Sequence, residues 1–435
     1  MGFQQGLSGL DAATTQLNVI GNNIANAETV GFKGSRAEFG DMFVSSLYSV
    51  SSTQVGIGVQ TEAITASTSQ GDISPTQRSL DLAISNNGYF VMRTKVPFGS
   101  ASGGSSSTTP LAYSRNGQFQ IDPYGFINNN GNRLQGWMAS ADGVITQGAM
   151  TDLQIVSESQ APNPTSLIQM PINLDSRAAS IATGTVVDPT NPATYTWSNA
   201  ATVFDSLGNQ HVLTLYYSKN PPTAGGTNWT VTAYVDNNLV GANPSTYALS
   251  FGTNGTLNSA QPALNISYNA LTPNGASFPQ TFQVSYGAAG GVTGPGFSST
   301  QFASNSATNG ITNDGYPPGT LQGININQTG VVQATYSNNQ TATLGQLALA
   351  TFTNQQGLQP MGDTLLGETL ASGNPQYNAP GSGPAGQIQA SALEDANIEL
   401  TNELVNMITA QRFYQANAQT IRTENEITQT VINLR

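Results

Sequence analysis

Residues 3–27 read FQQGLSGLDAATTQLNVIGNNIANA, and residues 393–421 read LEDANIELTNELVNMITAQRFYQANAQTI. In the first stretch Phe3, Leu10, Leu17 and Ile24 recur every seven positions, with Ala13, Ile20 and Ala27 three residues behind the later frames. That is the spacing of a helix with a single apolar seam. In the second, Leu393, Leu400, Met407, Tyr414 and Ile421 keep the same interval, flanked by Leu404, Ala418 and Ile432. Ser391 to Glu394 fits a capping box, so this helix is expected from about residue 392 to 434. At ~1.5 Å per residue it would be roughly 63 Å long, against roughly 36 Å for residues 4–27. An apolar stripe that outruns its partner, with no third helix to cover it, marks an association surface. A simple intramolecular hairpin is the competing reading, and the mismatch in length favours self-assembly over it.

Outward from the two ends the character changes. Gly31, Phe32, Lys33 and Gly34 end the first helical pattern and mark a hinge or linker. Residues 35–72 are irregular and Ser/Thr-rich, with apolar anchors at Phe39, Met42, Phe43, Leu47 and Tyr48, and read as extended chain packed along the helices. From Leu80 onward strands dominate. Tyr113 to Ile121 reads as strand, turn, strand about Asn116-Gly117, and further Asn-Gly or Asp-Gly pairs start at Asn87, Asn130, Asp142, Asn254, Asn274, Asn309 and Asp314. Residues 100–109 read as a flexible loop tip. Trp229, Val231, Ala233 and Val235 alternate with Thr230, Thr232 and Tyr234, and Leu213, Leu215, Phe282, Val284 and Tyr286 share the period. Strand patterning resumes at Ile324, Ile326, Val331, Val332, Tyr336, Leu347, Leu349 and Phe352. These last strands are expected to complete the first β block, with the second inserted into it.

The expected fold is therefore mixed and mainly β: nested β-rich domains inserted between N- and C-terminal helices that form a coiled-coil-like helical domain. The expected boundaries are 1–30 with 390–435 for the helical core, and 31–75 for the linker and extended segment. Residues 76–149 with 319–389 make an inner β domain ending in a linker, and 150–318 an outer β domain.

At 435 residues the chain is long enough for two or three domains. Only 8% of its residues are charged, against roughly 25% in ordinary globular proteins, so Asn, Gln, Ser and Thr provide the polar surface. From Asn220 to Gln411 there is no Lys or Arg, and the net charge is -12. Such a surface lacks the basic footprint that nucleic acid requires. The absence of Cys excludes disulfides and Cys-based metal sites and is compatible with an oxidising exterior. No ordinary cleavable signal peptide and no membrane-spanning run is expected.

Several of these segments together resemble the bacterial flagellar axial rod and hook family. The resemblance rests on Asn22-Asn23-Ile24-Ala25-Asn26-Ala27, Gly31-Phe32-Lys33 and Ala37-Glu38-Phe39-Gly40-Asp41-Met42-Phe43 near one end. At the other end it rests on Leu393-Glu394, Glu403-Leu404-Val405-Asn406-Met407-Ile408, Ala410-Gln411-Arg412 and Tyr414 to Ile421. Between them, Arg115 to Phe119 and Arg133-Leu134-Gln135-Gly136 are similar to segments found broadly in the family. Phe204-Asp205-Ser206-Leu207-Gly208-Asn209, with the large block around it, looks like the outer domain of its hook-type members. The resemblance implies a non-enzymatic subunit whose copies form a short curved tube, a universal joint passing torque from rod to filament in swimming motility. It further implies contacts with the distal rod subunit, the hook cap and the hook-filament junction proteins. Passage through the flagellar type III export apparatus, an extracellular location and no cleaved signal peptide also follow from it. A distal rod subunit of the same family is the near alternative, and a secreted β-rich adhesin or carbohydrate-active enzyme the distant one.

Candidate chemistry is thin. His211 is the only histidine and is expected at a surface or edge position of a strand, and with no second His and no Cys a His-based metal site is unavailable. Scattered acids could be paired for glycoside chemistry, but no spacing singles out a pair. Gly290 to Gly296 lacks the Lys-Ser/Thr of a phosphate loop. No catalytic, cofactor or metal residue is assigned. The site residues are interfacial: Phe3, Leu10, Leu17, Ile20 and Ile24 on one seam, Leu393, Leu400, Leu404, Met407, Tyr414 and Ile421 on the other, with the Gly31–Gly34 elbow between.

Overall fold

The computed structural model describes residues 2–42, 56–94, 110–140, 142–155, 159–223, 225–241, 247–258, 263–269, 275–287 and 298–433. The anchors Phe43, Leu47 and Tyr48, the loop tip at 100–109 and the segment Gly290 to Gly296 lie outside them. The chain divides into two compact units, one of Met1–Ser157, Gln322–Thr335 and Thr341–Arg435, the other of Glu158–Leu321 and Tyr336–Gln340.

In the first unit, helix α1 (Gly2–Ala25) is followed by an antiparallel ribbon, β1 (Ser35–Met42) and β2 (Gly58–Ala66). Short strands follow: β3 (Ile73–Pro75), β4 (Leu82–Ser85), β5 (Tyr89–Arg93), β6 (Leu111–Ser114), β7 (Gln120–Ile121), β8 (Ile127–Asn129) and β9 (Asn132–Met138). The chain ends in helix α2 (Leu400–Asn433). β5 lies between β6 and β9, with Phe90 opposite Ser114 and Met92 opposite Leu134. Strands from beyond residue 330 join the same sheet: Thr341–Leu347 pairs with β9, and Leu349–Thr351 with β5. One face buries Tyr89, Val91, Tyr113, Trp137, Ala350 and Phe352, with Tyr113 edge-on to Phe352 at 4.7 Å. On the other, Phe90 meets Phe119 edge-on at 5.1 Å. Covering both faces explains why β5 reads as an unbroken apolar run rather than an alternation.

The second unit is a β-sandwich. One sheet holds Trp197–Phe204, Gln210–Lys219, Thr227–Val235 and Asn238–Val240, with Ala248–Phe251 also on Thr227–Val235; the other holds Leu264–Tyr268, Gln280–Ser285, Leu167–Gln169 and Thr312–Asn313. Leu213, Leu215, Trp229, Val231, Ala233 and Val235 point inward against Ile168, Ile266, Phe282 and Val284, as their period of two requires. The opposite face is covered too: Tyr216 and Tyr234 stack edge-on at 5.4 Å, and the Tyr234 hydroxyl donates to the Val187 carbonyl at 3.0 Å.

One turn recurs in both units, at 122–126, 205–209, 252–256 and 327–331. In each, the fourth residue is a glycine with φ between +74° and +83° whose N–H donates to the first carbonyl. The first N–H donates to the fifth carbonyl. This is the three-residue hairpin loop, a type I turn closed by a left-handed glycine. The Asp122, Asp205 and Asn327 side chains each accept two further backbone N–H groups, from the third and fifth residues. Gly252 cannot, and there Asn254 accepts from the Thr256 N–H instead.

Two local expectations need correction. Asn116-Gly117 does not turn a hairpin: β6 ends at Ser114 and pairs with β5, while the Gly117 carbonyl accepts the Leu82 N–H. Asn130-Gly131 does so, between β8 and β9, with both residues at positive φ. The C-terminal helix starts at Leu400, not at residue 392. Ala392–Glu394 is instead a strand on β3, with Ile73 opposite Glu394, and Ser391 takes φ +55°. Sheet pairing and burial of the Glu394 side chain outweigh the local capping pattern.

Candidate functional site: the terminal helix pair and the cluster at its root

α1 and α2 run antiparallel and meet through small residues. Gly2 faces Glu424, a methyl group at Gly6 would lie 2.9 Å from Ile421 Cγ1, and one at Gly9 2.7 Å from Asn417 Cγ. Ala13 and Ala410 are buried in the same seam. On α2 the partly or fully buried positions are Glu403, Met407, Ala410, Asn417, Ala418, Ile421 and Glu424, three or four residues apart save for the seven-residue step from Ala410 to Asn417 and for Ala418 beside it. Of the expected heptad Leu393, Leu400, Met407, Tyr414 and Ile421, only Met407 and Ile421 lie on this stripe, and the facing side of α1 is glycine and alanine rather than leucine.

That division sorts the expected interface residues. Phe3 (49% exposed), Leu400 (47%), Leu404 (45%) and Tyr414 (42%) stand open. Leu10, Leu17, Ile24, Met407 and Ile421 are half-buried. Ile20 and Leu393 are buried within the chain itself, Leu393 on the strand rather than the helix, so neither presents itself to a neighbour. Leu7, Val405, Ile408 and Phe413 are exposed apolar residues that the seam pattern passed over. The spacing of Gly2, Gly6, Gly9 and Ala13 was the signal that could have identified the intramolecular face and left these outside it. With 34 residues against 24, α2 is about 51 Å long and α1 about 36 Å.

At the root of the helices the elbow is held, not free. Lys33 Nζ donates to Glu394 Oε1 at 2.5 Å and to the Ser69 carbonyl at 2.8 Å, and the Gly31 N–H donates to the Glu394 carbonyl at 2.7 Å. Glu394 Oε1 also accepts the Gly71 N–H at 3.0 Å, and Oε2 accepts Arg115 Nη1 at 2.9 Å. Arg115 donates besides to the Ile84 and Asn86 carbonyls and lies over the Tyr89 ring, 5.3 Å from its centre. Two asparagines bracket the elbow: Asn23 both donates to and accepts from the Ser35 backbone, and Asn397 accepts the Gly34 N–H. Gly31 is required twice over, by its φ of +69° and by the Asn116 N–H that would lie 2.6 Å from a Cβ.

The Glu394 side chain is fully buried. Burial pushes its carboxyl up, but Arg115 and Lys33 pull harder and hold it below the usual carboxylate range. Three segments quoted separately from the sequence, Gly31-Phe32-Lys33, Arg115-Asn116-Gly117 and Leu393-Glu394, thus form one cluster. A second motif has a similar centre: Arg133 Nη1 lies 3.3 Å and Arg93 Nε 3.4 Å from Asp152 oxygens, and Gln135 Nε2 donates to Asp152 Oδ1.

In the other unit His211 stands on the strand Gln210–Lys219, with Nδ1 2.6 Å from Asp236 Oδ2 and Nε2 3.4 Å from Asp205 Oδ2. Its ring joins two turns. Among the described residues no grouping of His, Asp or Glu has the geometry to hold a metal, and no helix is long and apolar enough to cross a membrane.

Comparison with known proteins agrees with this anatomy. Residues 3–33 match the family of flagella basal body rod proteins, residues 389–434 the C-terminal family of flagellar basal body rod FlgEFG proteins, and residues 173–316 the flagellar basal body protein FlaE D2 domain. The chain is 39% identical to the flagellar hook protein FlgE of Escherichia coli (strain K12), over 100% of both. It is 34% identical to that of Borreliella burgdorferi, over 99% of this chain and 98% of the relative. The crystal structure of the Helicobacter pylori flagellar hook protein FlgE2 shares the fold, with TM-score 0.52 and 13% identity over 74% of this chain and 100% of that one. The chain belongs to the flagellar hook protein FlgE family, a family of structural hook subunits and not of enzymes.

Proposed function

We propose that copies of this chain polymerise into a curved, flexible hook that passes torque from rod to filament, with the α1–α2 pairs forming its inner tube. One observation carries the reading: the two helices satisfy each other through glycine and alanine, which leaves Phe3, Leu7, Leu400, Leu404, Val405 and Ile408 facing outward. Exposed apolar side chains along a helix pair are stabilised when a second copy removes them from water, at roughly 25 cal/mol per Å². Leu10, Leu17, Ile24, Met407, Tyr414 and Ile421 edge those surfaces, and the Gly31–Gly34 linker joins α1 to the rest of its unit. Interlocked apolar helices resist twisting, because sliding would break many contacts at once.

The family resemblance supports the neighbours as well: a distal rod subunit below, a cap during growth, junction proteins toward the filament, and delivery by the flagellar type III apparatus without signal cleavage. The test is a Leu404→Glu/Val405→Glu chain expressed in a strain lacking its own hook subunit. Both positions are exposed, so the monomer should keep the wild-type circular dichroism spectrum and be secreted into the medium without forming hooks. Hooks of normal number and length by electron microscopy would refute the interface.

A further inference from the structure

The elbow between α1 and the β-rich part of its unit contains two glycines, and such a segment has wide conformational freedom on its own. We propose that Glu394 is a positioning residue: its buried carboxylate draws the Lys33 elbow onto Arg115 and Gly71 and so sets the direction in which α1 leaves the sheet. The geometry is that of a bracket. Oε1 takes Lys33 and the Gly71 N–H, Oε2 takes Arg115, and Arg115 is itself tied to the carbonyls of β4 and of Asn86. The Lys33, Arg115 and Glu394 side chains are 11%, 5% and 0% exposed, so water competes little for these bonds.

The other bonds at the elbow are neutral backbone or amide bonds, apart from the second one made by Lys33. The ion pair with Glu394 is the one that joins the elbow to both the sheet and the C-terminal strand. Direction matters because the helix acts as a lever: an error of about 10° at the elbow displaces the far end of a helix about 36 Å long by about 6 Å. Phe3 and Leu7 stand at that far end. Glu394 lies 361 residues beyond Lys33, so α1 is aimed only after the C-terminal segment has paired with β3.

This inference rests on the proposed function only for its consequence in assembly, and its test is made on the monomer, where failure of the two can be told apart. The chain has no Cys, so Asp11→Cys/Gln120→Cys, both exposed positions, accept one pair of nitroxide labels in the full-length protein. Electron–electron resonance then reports the distance between α1 and the sheet. A narrow distribution is expected for the parent and for Lys33→Arg. In Glu394→Gln and Lys33→Met the width should at least double, measured at a temperature where circular dichroism shows the sheet still folded. Lys33→Met leaves Glu394 bonded to Arg115 and Gly71, so it decides alone if Glu394→Gln does not fold. A distribution in Lys33→Met as narrow as the parent's, or one in Lys33→Arg as broad as in Lys33→Met, overturns the proposal.

Discussion

Glu394 gives up all contact with water, which a carboxylate tolerates only when its charge is matched. Removing the charge and leaving Lys33 and Arg115 without their partner should destabilise the first unit by about 3–5 kcal/mol, the usual cost of breaking a buried pair from one side. The dependence on pH has a definite sign. Because the folded carboxyl titrates below its value in the unfolded chain, its ionisation stabilises the native state above about pH 4.5. That contribution drains away as the pH falls through the lower, folded value. Calorimetry of the parent and Glu394→Gln should therefore show a full gap in melting temperature at neutral pH that narrows steadily below pH ~4.5. A gap of constant size down to pH ~3 would mean that Glu394 is not held ionised in the fold. Little of this was legible beforehand. In the sequence Lys33 reads as part of an elbow and Glu394 as half of a capping box. No local pattern signals a bond between residues 361 apart, and the capping box was a false lead because strand pairing used the same residues first.

At the scale of elements, period-two alternation proved a sound guide where apolar and hydroxyl side chains take opposite faces of a strand, as at Trp229, Val231, Ala233 and Val235 between Thr230, Thr232 and Tyr234. It was silent about β5, whose two faces are both covered. Turns were legible in number more than in kind. An Asn-Gly pair suggests a two-residue hairpin, yet a loop that recurs among the described residues is the five-position turn, whose signature at 122, 205 and 327 is Asp or Asn three residues before a glycine. Its first side chain matters in proportion to the N–H groups it satisfies. Asp205→Ala leaves two N–H groups, of Leu207 and Asn209, without their acceptor and should lower the stability of the second unit by about 2 kcal/mol in urea denaturation. In the 252–256 loop, Asn254→Ala should cost about 1 kcal/mol, and Gly252→Ala far less, since position one contributes no side-chain bond there. Equal losses at Asp205 and Gly252 would show that backbone closure alone sets these turns.

For the molecule as a whole, the distribution of charge matters more than any single residue. The helices offer apolar surface, whereas the β-rich parts are coated with amides and hydroxyls, and from Asn220 to Gln411 carry no cation. Contacts between neutral polar surfaces are readily exchanged through water, so neighbouring copies can shift against one another over a shallow energy profile. In the assembly proposed above, a hook that bends while rotating needs that compliance. Adding charge should stiffen it. Val186 and Ile311 are exposed on the second unit, and Val186→Lys/Ile311→Glu introduces one charge of each sign on its surface. An exposed Lys-Glu pair formed between copies is worth only about 0–1 kcal/mol, but the polymer would repeat it in every copy. Isolated hooks of the double variant should show a longer bending persistence length than the parent at low ionic strength. The difference should vanish near 1 M salt, where the Debye length falls to about 3 Å and such pairs are screened. Equal stiffness of the two at every salt concentration would remove the argument that charge-poor surfaces are what let the hook flex.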